Sequence, residues 1–131
     1  MANPNIAAAS SILGTTTYLT PSVNTAVVLL NNTASSGQVF KINQIVAANV
    51  DGSTAYSTTV SIYSNGAQSQ GSAPSSGTAY PIVSTVSIPA NASLVVADKT
   101  TAIYLMEGQS IVVTSSTASK IAYTISYEVI S

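Results

Sequence analysis

Apolar side chains fall on every second position along much of this chain, and the pattern is cleanest near its end. In residues 120–131, Ile121, Tyr123, Ile125, Tyr127 and Val129 alternate with Ala122, Thr124, Ser126 and Glu128, the period of a strand with one buried face. β-branched and aromatic side chains suit a pleated, half-buried surface, and this segment holds little else. Upstream, Ile111 and Val113 alternate with Ser110, Val112 and Thr114. A polar link at 115–119 then predicts a hairpin at the centre of an antiparallel sheet. The link has no Asn-Gly or Asp-Gly pair, so its turn type stays open.

The rest of the chain reads as further strands between turn signals. Residues 1–10 form an arm in which Pro4 prevents early strand or helix continuity and the apolar run 6–9 could dock on a neighbouring subunit. Ile12–Leu19, with Thr15, Thr16, Thr17 and Tyr18, reads as a short edge strand ended by Thr20-Pro21. Residues 24–30 are apolar from Ala26 to Leu30 without interruption, as in a strand covered on both faces. In 38–50 the alternation set by Phe40 and Ile42 fails around Gln44 and then resumes, which predicts one strand with a bulge there. Phe40, the only Phe, belongs in the core. Asp51-Gly52-Ser53 turns the chain, and 58–63, 80–88, Ser93–Ala97 and 103–106 supply further strands. Between them, residues 66–78 are rich in Gly, Ser, Gln and Ala. A loop longer than about 12 residues is a candidate contact surface. About eight short strands with frequent turn signals predict an all-β, single-domain antiparallel β-sandwich or jelly roll, with an arm at 1–14 and the sandwich at 15–131.

Composition narrows what such a domain can do. The chain has 131 residues, enough for one core, and only 5% are charged, against about 25% in ordinary soluble domains. There is no Arg, and the only cations are Lys41, Lys99 and Lys120, too few to neutralise a phosphate backbone or form a polybasic membrane patch. No apolar run approaches the ~20 residues of a spanning helix. The opening residues have no basic charge ahead of the Ala-rich run, so a secretory leader is not expected and folding in the cytoplasm is. Asn31-Asn32-Thr33 and Asn91-Ala92-Ser93 match glycosylation acceptors, as chance allows in a chain rich in Asn, Ser and Thr.

Histidine and cysteine are absent as well. This removes the usual general base, the activated thiol and the common zinc ligands. The four acids are Asp51, Asp98, Glu107 and Glu128, three of them in turns, and no pair is marked by spacing for acid–base work. The expectation is a protein that is not an enzyme and holds no cofactor or metal. Calcium would need the loops of Asp51 and Asp98 to meet. Lys41, near Asn43 and Asn49, could in principle close an isopeptide, but a Lys stem lying on the sheet with its head in water is the plainer expectation. Tyr18, Tyr56, Tyr63, Tyr80, Tyr104, Tyr123 and Tyr127 are divided between core filling and interface contacts.

Several phrases look familiar together: Met1-Ala2-Asn3-Pro4-Asn5-Ile6, Ala9-Ser10-Ser11-Ile12-Leu13-Gly14, Phe40-Lys41-Ile42-Asn43-Gln44-Ile45 with Asn49-Val50-Asp51-Gly52, Val86-Ser87-Ile88-Pro89-Ala90, and Ile125-Ser126-Tyr127-Glu128. The chain resembles small virion structural proteins of tailed phages that infect marine and freshwater bacteria, especially cyanophages. The likeness covers most of its length and carries no catalytic signature; residues 66–78 are longer than in that group. The resemblance implies a protein built in many copies into a particle. The leading expectation is a capsid decoration (cement) protein at the capsid surface, made in the host cytoplasm, that binds the major capsid protein and itself as a dimer or trimer. Its contacts would be the arm at 1–14 and the loop at 66–78. The alternatives are a neck, tail or fibre component and, further off, a carbohydrate-binding module.

Overall fold

The computed structural model describes residues 4–131; the first three residues of the expected arm lie outside the described residues. Nine strands are present among the described residues: β1 (Ile12–Leu19), β2 (Val27–Asn32), β3 (Val39–Asn49), β4 (Tyr56–Tyr63), β5 (Ala79–Ile88), β6 (Ser93–Ala97), β7 (Ile103–Leu105), β8 (Gln109–Ser115) and β9 (Ile121–Ile130). They form two antiparallel sheets. The first runs β1-β9-β3-β6, with β7 also paired to β3, and the second runs β2-β8-β4-β5. β6 pairs with residues 45–48 of β3 and β7 with residues 40–42, so the two are halves of one interrupted edge strand. Counted that way there are eight strands, and the chain changes sheet at every connection except β4 to β5. This is the jelly-roll order.

Alternation explains which face each strand buries. On β9, Ile121, Tyr123 and Ile125 are fully buried between the sheets, and β9 lies between β1 and β3 as the centre of its sheet. Phe40 and Ile42 of β3 join the same core, and the Phe40 ring lies 5.2 Å from that of Tyr127, tilted by 40°. The register of β3 against β9 slips between Ile42 and Gln44. Asn43 is the extra residue, so the bulge expected near Gln44 is present.

The hairpin expected at the end of the chain is not formed. β8 pairs with β2 and β4 in the second sheet, while β9 pairs with β1 and β3 in the first. The link crosses from one sheet to the other, held by Ser116 N–H on Ser57 O (2.9 Å) and Ser119 N–H on Pro21 O (2.8 Å). Two successive alternating strands look the same whether they pair edge to edge or stack face to face. The missing two-residue turn signal was the sign of the second arrangement.

β2 is buried on both faces, as its unbroken apolar run requires. Val27, Leu29 and Leu30 face the core, whereas Val28 is buried outside it with Val112, its register partner on β8. The loop at 66–78 runs along the edge of β2 and is tied down along its length. Gly71 N–H donates to Val28 O (2.8 Å) and Val28 N–H to Ser72 O (2.9 Å). Asn65 Nδ2 donates to Ser75 O (2.8 Å), and Gln70 Nε2 to Leu29 O (2.9 Å). Gly66 is buried at the root of the loop, where a methyl group would be driven into the carbonyl oxygens of Asn32 and Gln109. Backbone cannot yield there as a side chain can, so Gly66→Ala is expected to cost about 1–3 kcal/mol. Hydrogen exchange should show the amides of Gly71 and Val28 losing protection before the rest of β2.

Candidate interaction surfaces

Three of the four acids, Asp51, Asp98 and Glu107, hold turns, and Glu128 lies in β9. Asp51 Oδ1 accepts from the N–H groups of Ser53 (2.8 Å) and Thr54 (2.9 Å), and Asp51 Oδ2 lies 3.2 Å from Lys120 Nζ. Those two N–H groups, with lesser help from Lys120, hold its pKa down to about 2. Asp98 caps the 3-10 turn Lys99–Thr101, and the Thr100 hydroxyl and N–H hold its carboxyl below the usual range. Glu107 Oε1 accepts from Gly37 N–H (3.1 Å), and Glu128 Oε1 from Asn43 Nδ2 (3.4 Å). Asp51 lies two residues past the end of β3 and Asp98 directly follows β6, with the length of β6 between them, so the loops that calcium would need together are apart. Among the described residues, no three His, Cys, Asp or Glu side chains converge, and no helix is long and apolar enough to cross a membrane. Lys41 stands opposite Glu128 and Tyr104 in the register. Asn49, at the far end of β3, commits its Nδ2 to Thr54 O and Ile88 O (both 2.9 Å).

Two buried asparagines escaped the sequence reading as structural elements. Asn49 joins the first sheet to β5 of the second. Asn32, on β2 of the second sheet, donates to Gln38 O (3.0 Å) and to Leu105 O (3.1 Å) of β7 in the first, and its Oδ1 accepts from Ser36 (2.6 Å). Each sits where a strand ends and the chain changes sheet.

The outer face of the first sheet carries a shallow groove of about 540 Å³ lined by Asn43, Gln44, Asp98, Lys99, Thr100 and Ser126. Its donors and acceptors are amides, hydroxyls and one charge of each sign, and none of these six side chains is aromatic. Asn43 Oδ1 is buried there without a donor from the protein.

Sheet edges decide where another chain could add, because each unpaired edge displays a row of N–H and C=O groups. Three of the four edges are blocked. The backbone of Gly71 and Ser72 closes β2. β5 carries Pro81, two register slips and Thr85 at φ 51°, and β6 and β7 are parted by the capped turn. Among the described residues, β1 has none of these protections along residues 12–16; near its end Gln70 Nε2 reaches Thr17 Oγ1 (3.0 Å) and Tyr18 O (3.5 Å). The strand is eight residues long, pairs with β9 without a slip, and contains no charge and no proline. Five of its residues in a row, 12–16, are exposed, and Ile12, Leu13 and Tyr18 are 58%, 61% and 75% exposed.

The edge strand expected at Ile12–Leu19 is present with those bounds as β1, and residues 12–14, also counted with the arm, open it. What precedes them is an exposed segment anchored by the N–H groups of Ser10 and Ser11 on Ser131 O (2.7 and 3.1 Å). The tyrosines divide as well: Tyr123 is in the core, Tyr56 and Tyr127 pack against it, and Tyr18, Tyr80 and Tyr104 are exposed.

Comparison of the chain with protein-family models, with curated proteins and with solved structures returns no match. The jelly roll serves capsid proteins, lectins and enzymes alike, so function has to be argued from the surface.

Proposed function

We propose that this chain is a structural protein of a phage particle, a capsid decoration (cement) protein that binds the major capsid protein and stabilises the head lattice. The observation that carries this reading is the character of its surface. Hydroxyls, amides and exposed apolar side chains such as Ile12, Leu13, Tyr18 and Tyr80 take the place of charge. Adhesion by such groups does not depend on ion pairs, which salt screens beyond about 8 Å at physiological strength. A module of this kind keeps its grip when a particle leaves its host for water of another salinity. The resemblance noted in the sequence points the same way. A neck, tail or fibre component is the nearest alternative, and copy number separates the two.

Quantitative mass spectrometry of purified particles is the test. The expected result is a chain present in proportion to the major capsid protein and retained when salt is raised far above physiological strength. A few copies per particle would move it to the neck or tail. Its absence from particles, or release by salt alone, would overturn the reading.

A further inference from the structure

The free edge of β1 has a definite hydrogen-bonding register, which follows from its first residues. Ser11 N–H donates to Ser131 O (3.1 Å) and Ser131 N–H to Ser11 O (3.0 Å), a mutually bonded pair that continues the ladder in which Ile12 faces Ile130. Bonded and non-bonded pairs alternate along an antiparallel ladder. Leu13, Thr15, Thr17 and Leu19 therefore direct their backbone groups toward β9, and Ile12, Gly14, Thr16 and Tyr18 direct theirs away from it. Gln70 Nε2, reaching the Tyr18 carbonyl at 3.5 Å from outside the sheet, agrees with this assignment. Among the described residues, no other hydrogen bond from outside the sheet reaches the backbone of those four.

We infer that β1 pairs with β1 of a second copy, antiparallel about a two-fold axis through Thr15, to make one continuous sheet across two molecules. Only pairings that oppose two outward-directed residues bring donors to acceptors. A two-fold axis at Thr15 meets that condition, placing Ile12 opposite Tyr18 of the second copy and Gly14 opposite its Thr16. Ile12 and Tyr18, 58% and 75% exposed, then cover each other across the axis, a favourable β-branched and aromatic cross-strand combination, while Leu13 faces Thr17. The strand carries no charge, so two copies meet without repulsion. The same chain that blocks its other three edges by a loop, by proline with bulges, and by a capped turn leaves residues 12–16 of this one open, and the Gln70 side chain at Tyr18 has to swing aside or share that carbonyl when Ile12 of the second copy pairs there.

The contact is narrower than the ~1,600 Å² of a standard interface. The pair is therefore a concentration-dependent dimer, favoured further wherever a lattice holds copies side by side. Its biological setting rests on the assembly reading above, but its geometry does not, and the test uses the purified full chain alone.

The chain has no cysteine, so a single introduced one reports a single position. Thr15→Cys would put two thiols at a non-bonded pair on the axis, where Cα atoms stand about 4.5 Å apart and a disulfide can close. Mild oxidation is expected to turn this variant into a covalent dimer at least about tenfold faster than Thr16→Cys, which faces Gly14 instead. Sedimentation of the unmodified protein should show mass rising toward two copies with concentration. Gly14→Pro should abolish that rise while leaving the melting temperature unchanged. Its lost N–H points out of the sheet, where an edge strand tolerates proline, and a Cβ at Gly14 meets nothing within 4 Å. Thr16→Lys serves as the second variant, because an edge charge opposes pairing. A protein monomeric at every concentration, equal crosslinking at Thr15 and Thr16, or dimers that survive both Gly14→Pro and Thr16→Lys would each overturn the inference. Absence from particles would instead strike the proposed function and leave the dimer standing.

Discussion

Asn49→Ala is expected to remove about 3–5 kcal/mol from a domain whose whole stability is on the order of 5–15 kcal/mol. Asn49 is 2% exposed, its Nδ2 serves the carbonyls of Thr54 and Ile88, and its Oδ1 accepts from Asp51 N–H (2.9 Å). Truncation leaves two acceptors and one donor without partners, each costing about 1–3 kcal/mol where water cannot replace the amide. Asn49→Asp keeps the shape but turns two donating hydrogens into a carboxylate facing two carbonyl oxygens, so it should be at least as damaging. Asn31→Ala is the control: its Nδ2 makes a single half-buried bond to Gly66 O (3.2 Å), worth about 1 kcal/mol. Urea titration with the slope held constant measures all three, and an Asn49→Ala midpoint no lower than that of Asn31→Ala would contradict the assignment. Asn32→Ala should resemble Asn49→Ala. The two sites lie near opposite ends of β3, so their costs should add.

That pair of asparagines also marks the limit of what the sequence disclosed. Strand positions were legible because burial between two sheets imposes a period of two. The period placed β9 at the centre, Phe40 in the core and a bulge at the break beside Gln44. It could not say which strand paired with which, since facing and neighbouring strands obey the same alternation, and the β8–β9 hairpin was misread for that reason. Nor does spacing distinguish an asparagine in a loop from one that reaches across a sandwich to satisfy carbonyls of the other sheet. The loop at 66–78 read only as a long polar segment and candidate contact surface, yet its backbone fastens it to β2. The edge at β1 had left a trace: Thr15-Thr16-Thr17-Tyr18 lacks the polar–apolar alternation seen elsewhere, as a strand exposed on both faces should.

The same logic singles out Tyr123, whose body fills the core while its tip bridges the sheets. The residue is fully buried on β9, and its hydroxyl shares a hydrogen bond with Thr58 Oγ1 on β4 of the opposite sheet. Tyr123→Ala removes a fully buried aromatic ring and should cost about 3–5 kcal/mol, the range for large aromatic truncations. Tyr123→Phe keeps the ring, and Thr58 Oγ1 retains its bond to Thr114 O (3.3 Å), so its cost at neutral pH should be about 1 kcal/mol. The two variants part again in alkali. Burial pushes the Tyr123 phenol up to about 12, with the Thr58 hydrogen bond pulling it partly back, and burial raises Tyr127 as well. A folded-state pKa above the unfolded value of about 10 means the neutral phenol is favoured by folding. That contribution is whole below pH ~10 and drains away as pH rises through ~12, a loss on the order of 2 kcal/mol for Tyr123. Phenolate absorbance should therefore show late-ionising tyrosine appearing together with loss of the β-sheet signal. In Tyr123→Phe the alkaline decline should be shallower, with burial of Tyr127 still contributing to it. An unchanged alkaline limb in that variant would mean that the buried phenol does not govern stability there.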